Sequence, residues 1–228
     1  GSFTVASQVA TTGNRLKQIN AGANGSTSVF SNDVYANTYT HTGVGTTSFS
    51  GAFTGTTLAF GENDGVINIA HNKNLSTAIT ASNVGTINFA GTTTVSGQVG
   101  TSAAMLGILN AGVTGRTVTF NSDVYASTLN LANDTGAVTL AGNGRFATHF
   151  SGDGSLTLTG SNKTLTGAIS TDHTNSGALI LAHTTGTNTI ASAIGTSGAV
   201  LNSIITGATG GTTIFGGDVY ATTITIVG

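Results

Sequence analysis

Apolar and polar residues alternate along this chain in short runs. Thr86-Ile87-Asn88-Phe89-Ala90, Arg116-Thr117-Val118-Thr119-Phe120 and Ser155-Leu156-Thr157-Leu158-Thr159 put every second residue on one apolar face, and Ala178-Leu179-Ile180-Leu181 runs apolar throughout. A period of two marks a strand with one buried side. Gly, Asn and Asp lie between the runs, as tight turns require. Strands this short and this close leave no room for the helices of βαβ units. The predicted class is all-β.

The alternation is organised into a long internal repeat, the feature to be sought first in any such chain. Phe30-Ser31-Asn32-Asp33-Val34-Tyr35-Ala36 returns as Phe120-Asn121-Ser122-Asp123-Val124-Tyr125-Ala126 and again as Phe215-Gly216-Gly217-Asp218-Val219-Tyr220-Ala221. Val5, Val95 and Ile190 align upstream, as do Leu16, Leu106 and Leu201, with Gly22, Gly112 and Gly207 between the anchors. The repeat Asp residues are 90 and then 95 positions apart, and Asn72–Ile79 resembles Asn162–Ile169 at an offset of 90. Units run approximately over 5–94, 95–189 and 190–228, the third incomplete, which is the pattern of a segment of a longer chain. Stacked coils let each rung bury its inward face against the next. With roughly 20 residues per coil, a unit holds about four or five coils. The predicted fold is a single repetitive parallel β-solenoid (β-helix) over 1–228 with short helical or irregular insertions. The insertions are placed at Asn14 to Ala21, Ala103 to Ala111 and Gly198 to Ile205. There Leu16/Ile19, Leu106/Leu109 and Leu201/Ile204 stand three apart, a helical spacing.

Composition agrees with extended backbone and narrows the function. The chain has 34 Gly, no Pro, no Cys and no Trp, and only 6% of its residues are charged. An average soluble domain carries roughly a quarter charged residues, yet disorder does not follow, because the mean hydropathy is positive and the formal net charge is only -2. Thr, Val and Ile suit a pleated surface. Pro, which cannot donate to a ladder, is excluded where strands are paired on both sides. Absent Cys removes disulfides and zinc–thiolate sites. The six basic residues, Arg15, Lys17, Lys73, Arg116, Arg145 and Lys163, are scattered. Phosphate backbones need several cations acting together, so no nucleic-acid partner is expected. No run of 18 apolar residues is present, so no membrane insertion by this segment is expected.

The stretch Thr94 to Thr101 (Thr-Val-Ser-Gly-Gln-Val-Gly-Thr), the Leu109 to Gly112 turn and Val118 to Ala126 resemble passenger repeats of rickettsial outer-membrane autotransporters, the surface cell antigen family. The resemblance implies a secreted passenger, largely β-helical, joined to a membrane barrel outside this segment. It implies adhesion to host cells or a surface coat, and it brings no catalytic residues with it.

Searching for chemistry gives little. A catalytic carboxylate pair is expected once, in asymmetric surroundings, whereas Asp33, Asp123 and Asp218 recur with the repeat. They read as turn residues bonding their own backbone. Gly61-Glu62-Asn63-Asp64-Gly65 lacks the spacing of a calcium loop and reads as a solvated turn. His41, His71, His149, His173 and His183 share no metal spacing and read as surface or turn residues. Tyr35, Tyr125 and Tyr220 are three of only four Tyr, all at one repeat position. Each either packs at a corner or lines a recurring strip. The candidate surface strip is therefore Asp33, Tyr35, Asp123, Tyr125, Asp218 and Tyr220, with no catalytic, cofactor or metal site. The expected function is a non-enzymatic bacterial surface segment, extracellular, whose partner is a host cell-surface receptor or neighbouring copies of itself. A self-assembling filament is the alternative. A β-helical polysaccharide-processing enzyme fits less well, because clustered carboxylates and aromatic platforms are missing.

Overall fold

A computed structural model describes residues 1–132, 135–207 and 210–227. The first stretch supplies β1 (Phe3–Val5), β2 (Leu16–Ala21), β3 (Thr27–Phe30), β4 (Val34–His41), β5 (Thr46–Phe49), β6 (Phe53–Ala59), β7 (Val66–Ile69), β8 (Leu75–Thr80), β9 (Val84–Phe89) and β10 (Thr93–Val95). Next come β11 (Leu106–Ala111), β12 (Thr117–Phe120), β13 (Val124–Leu131), β14 (Ala137–Leu140), β15 (Gly144–Phe150), β16 (Ser155–Leu158), β17 (Thr164–Thr166), β18 (Ile169–Thr171), β19 (Ser176–Leu181) and β20 (Thr187–Ile190). The last are β21 (Leu201–Thr206), β22 (Thr212–Phe215) and β23 (Ala221–Ile226). Every paired strand is parallel to its neighbours. The strands form two sheets, of 12 and 11 strands, and nearly every strand pairs with the one two places on. The fold is a β-solenoid of about ten turns, two strands to the turn. Partners lie between 18 residues apart (Val138 with Leu156) and 25 apart (Phe3 with Ser28).

Inward residues form columns that run from coil to coil. Phe30, Phe49, Ile69 and Phe89 stack in register, as do Ala111, Leu131, Phe150 and Thr171. Phe30 and Phe49 lie nearly parallel with ring centroids 5.2 Å apart. Column packing is adjusted locally. Phe53 and Gly55 in the first unit are answered by Gly144 and Phe146 in the second. A Cβ on Gly55 would stand 3.0 Å from the Phe53 ring, and one on Gly144 would stand 2.9 Å from the Phe146 ring. The ring has moved two residues along the strand, and the glycine has moved to make room.

A unit contains nine strand positions. β2 corresponds to β11, and β11 to β21 once β17 and β18 are taken as one position, since both pair with β15. Nine is odd and the coil holds two strands, so each unit occupies four and a half turns and equivalent strands alternate between sheets. Bent eight-residue β4 belongs to the 11-stranded sheet, and its counterpart β13 to the 12-stranded one. The four-residue strands β3, β5 and β7 lie opposite the long strands in the first unit. Their counterparts β12, β14 and β16 lie on the other wall.

Of the two readings of the insertions, the helical one fails, since no helix occurs among the described residues, and the irregular one holds for the first part of each segment. Each segment is a loop that returns as a strand. After Val9 the chain leaves the wall and rejoins it at Leu16, while the facing strand advances only from Val34 to Ala36. Loops 10–15, 100–105 and 195–200 are closed by paired backbone bonds, Thr11 with Asn14, Thr101 with Ala104 and Thr196 with Ala199. The three-residue apolar spacing has another cause. In β11, Gly107 and Ile108 both face outward at a bend, so Leu106 and Leu109 both face in. Two outward residues in succession mimic a helical step.

Each loop leaves its wall through a left-handed residue: Ala10 at φ 60°, Gly100 at 61° and Gly195 at 65°. An L-residue with a Cβ is destabilised there by about 1–2 kcal/mol, and only the first unit places one. Ala10→Gly is expected to strengthen the rung that Tyr35 N–H makes to Val9 C=O, slowing hydrogen exchange of the Tyr35 amide roughly fivefold, for about 1 kcal/mol.

Candidate functional site

The repeat places its Asp and Tyr by strand geometry. Val34 and Val124 are buried, so the next residue along each extended strand, Tyr35 or Tyr125, points out of the coil. Tyr220, just before β23, is 37% exposed. The Tyr125 hydroxyl stands 3.5 Å from Asp123 Oδ2, a weak contact. The alternation of walls separates these residues. Tyr35 and Asp33 adjoin the 11-stranded sheet, Tyr125 and Asp123 the 12-stranded sheet, and Tyr220 and Asp218 the 11-stranded sheet again. The six do not form one strip. They form two sets on opposite walls, separated along the axis by about 20 Å, four and a half coils at roughly 4.8 Å each.

The repeat Asp does not bond its own turn as expected. It reaches to the next coil: Asp33 Oδ1 accepts the Ala52 N–H at 2.9 Å, and Asp123 Oδ1 accepts the Asn143 N–H at 2.7 Å. Turn residues elsewhere do the same. Asn24 accepts from Val44, Asp64 from Gly85, Asn74 from Thr94, Asn83 from Met105, Asn143 from Thr164 and Asn162 from Thr187, at 2.9–3.1 Å. Backbone donors in turns lack the sheet partners that strand donors have, and a buried unpaired N–H is costly. Asn and Asp side chains one coil below supply the acceptors. Asp218 is exposed in the last coil of the chain.

Two of the five histidines are interior, contrary to expectation. His41 and His183 are 0% and 1% exposed. Backbone room explains how His41 fits: a Cβ on Gly22 or on Gly65 would stand 2.1 Å from its ring. The His41 Nε2 lies 3.0 Å from Gly45 C=O, and its Nδ1 lies 3.3 Å from the Tyr39 hydroxyl, which donates to Thr47 Oγ1 at 2.5 Å. Burial pushes the Tyr39 hydroxyl above the ordinary tyrosine range, the Thr47 bond opposing it. Burial also lowers the His41 imidazole below its ordinary value, partly offset by the Gly45 carbonyl. This triad is sealed in the core, with Tyr39, His41 and Thr47 all fully buried. His149 pairs with Asp172 at 3.1 Å and His71 Nδ1 accepts the Thr92 N–H at 3.1 Å. Among the described residues no three His, Asp or Glu come together as a metal cluster.

One arrangement went unnoticed in the sequence. Ser48, Asn68, Asn88, Asn110 and Asn130 occupy successive coils of the 12-stranded sheet on its outer side. Their amides are joined head to tail: Asn68 donates to Ser48 at 3.3 Å, Asn88 to Asn68 at 2.8 Å, Asn110 to Asn88 at 2.7 Å and Asn130 to Asn110 at 2.8 Å. His149 and Ser170 extend the column. The asparagines recur 20, 22 and 20 positions apart, so a search at the period of the coil, rather than of the unit, would have found them.

Two outcomes follow from these contacts. Asp123→Ala is expected to lower unfolding free energy by about 1–2 kcal/mol by orphaning the Asn143 N–H, whereas Glu62→Ala, in an exposed turn, stays within about 0.5 kcal/mol; urea unfolding compares them. His41 is held neutral by burial, but an unfolded chain protonates it near its ordinary pKa of about 6.5. Its share of stability is therefore complete above that pH and is lost as the pH falls below it. His41→Leu, the residue at the equivalent Leu131, should make the urea midpoint less sensitive to a shift from pH 7.5 to 5.0 than it is in the parent chain.

Comparison with protein-family models, with curated proteins and with solved structures returns no match to this chain.

Proposed function

We propose that the chain is a non-enzymatic segment of a bacterial surface passenger, a rigid rod that holds outward-facing loops and tyrosines toward a host cell-surface receptor. The reading rests first on the four-and-a-half-turn unit. Ten coils at roughly 4.8 Å make a rod about 50 Å long, with protruding loops 10–15, 100–105 and 195–200 recurring along it. Equivalent features emerge on alternate walls, so the rod offers contacts to partners on two sides. Weak contacts repeated along a stiff rod gain avidity without a deep pocket. The resemblance of Thr94 to Thr101, Leu109 to Gly112 and Val118 to Ala126 to rickettsial autotransporter passengers supports the extracellular placement and a non-catalytic role.

Labelled chain should bind host cells saturably, and unlabelled chain should displace it. Substituting Tyr35, Tyr125 and Tyr220 together by Ser should weaken that binding at least tenfold while circular dichroism stays β-rich. Binding that does not saturate, or that ignores competitor, would remove the adhesive reading and leave a stalk or coat element.

A further inference from the structure

We infer that the asparagine column is a contact surface for a second copy of this chain, packed side by side, wall against wall. The ladder is not demanded by the coil. One unit on, the positions equivalent to Asn68, Asn88, Asn110 and Asn130 are Thr157, Ile180, Ile205 and Thr225, and those four also stack in register. The same backbone is thus built with no amide at these positions.

What the amides add is an unspent set of bonds. In a carboxamide the nitrogen has two donors and the oxygen two lone pairs. Within the column each interior Asn uses one donor on the rung below and accepts one bond from the rung above. One N–H and one lone pair per rung remain, repeated every ~4.8 Å. Such a row is its own complement: turned over by a two-fold axis, donors of one copy meet acceptors of the other. Isologous pairing of this kind is the commonest form of self-association, and paired amide ladders are a known source of sheet-to-sheet adhesion.

The flanking columns permit the approach. On one side stand Thr46, Val66, Thr86, Ile108 and Thr128; on the other Ser50, Ala70, Ala90, Gly112 and Ala132. From Ser48 to Asn130 none of these three columns holds an ionisable residue, so two copies meet without like-charge repulsion, and small residues beside the ladder let the walls close. Ile108 is 38% exposed in the middle of the wall and gains burial. The extent predicts the strength. Five strands at about 4.8 Å by four residues at about 3.3 Å give roughly 300 Å² per copy, less than half of the ~800 Å² per partner typical of a stable complex. The contact is therefore weak, with Kd of roughly 0.1–1 mM, and becomes effective where many copies are held at one surface.

Sedimentation velocity between 10 µM and 1 mM tests this. The parent chain should move toward dimer as concentration rises. Asn88→Lys with Asn110→Lys should weaken dimerisation at least tenfold, while Thr139→Lys with Thr157→Lys, on the other wall, should leave it unchanged. Since the chain has no cysteine, single Cys substitutions give a readout independent of the Lys variants. Asn88→Cys or Asn110→Cys should form disulfide-linked dimers under mild oxidation faster than Thr139→Cys. A chain that stays monomeric at 1 mM, or dimers that both Lys pairs weaken alike, would overturn the proposal.

Discussion

The backbone ladder between coils is the constraint from which the rest of this structure follows. Parallel strands in register at about 4.8 Å place each side chain directly over another of the same column. Like charges in such a column repel, and the chain carries only 6% charged residues. Neutral groups that both donate and accept can stack without limit, which is why Thr, Ser and Asn cover the outside. The ladder uses the N–H of each strand residue, so Pro has no place. It also leaves turns with donors that no strand can satisfy, and the acceptors come from Asp33, Asp64, Asp123 and the turn asparagines reaching up one coil. Asp33 and Asp123 of the repeat are thus fasteners between rungs, a role that needs an acceptor at a fixed height.

The second constraint is arithmetic. Nine strand positions on a coil of two exchange the walls at every unit. The sequence repeat and the spatial repeat therefore differ: residues that match in an alignment lie on opposite sides, and two units restore the original side. A surface built from the repeat Tyr is consequently sparse on either wall. The asparagine column is dense because it follows the coil, drawing its rungs from two units across their boundary.

This difference also sorts what could be read from the chain. Strand class, solenoid architecture and the 90–95-residue unit were legible, because alternation and repetition are properties of one dimension. The helical reading of the segments around Leu16, Leu106 and Leu201 failed because a bend that turns two successive residues outward produces the same spacing as a helix. Asp33 was assigned to its own turn because local bonds are visible in sequence and a partner 19 residues away is not. His41 looked like a surface residue because the space for its ring is made by Gly22 and Gly65, each a coil distant. For Asp33 and His41 the missing information was the register between coils.

With the register known, the units act as internal controls. Where the copies agree, the coil needs the residue: Gly22 and Gly112 both take positive φ, and Asp33 and Asp123 both hold the following coil. Where they differ, the coil tolerates either choice. Tyr39, His41 and Thr47 give way to Leu129, Leu131 and Val138, so a hydrogen-bonded core and an aliphatic one support the same turn. Polar atoms in a core must all be partnered or they cost stability, and an aliphatic core avoids that requirement. The triad is therefore dispensable to the architecture, and its consequence is one core position, His41, whose protonation opposes folding where the equivalent Leu131 has no group to titrate. The asparagines stand on the same footing outside the core. A fold that is equally well made with Ile180 and Ile205 has no structural need of Asn88 and Asn110, and what distinguishes the two walls is what each can touch.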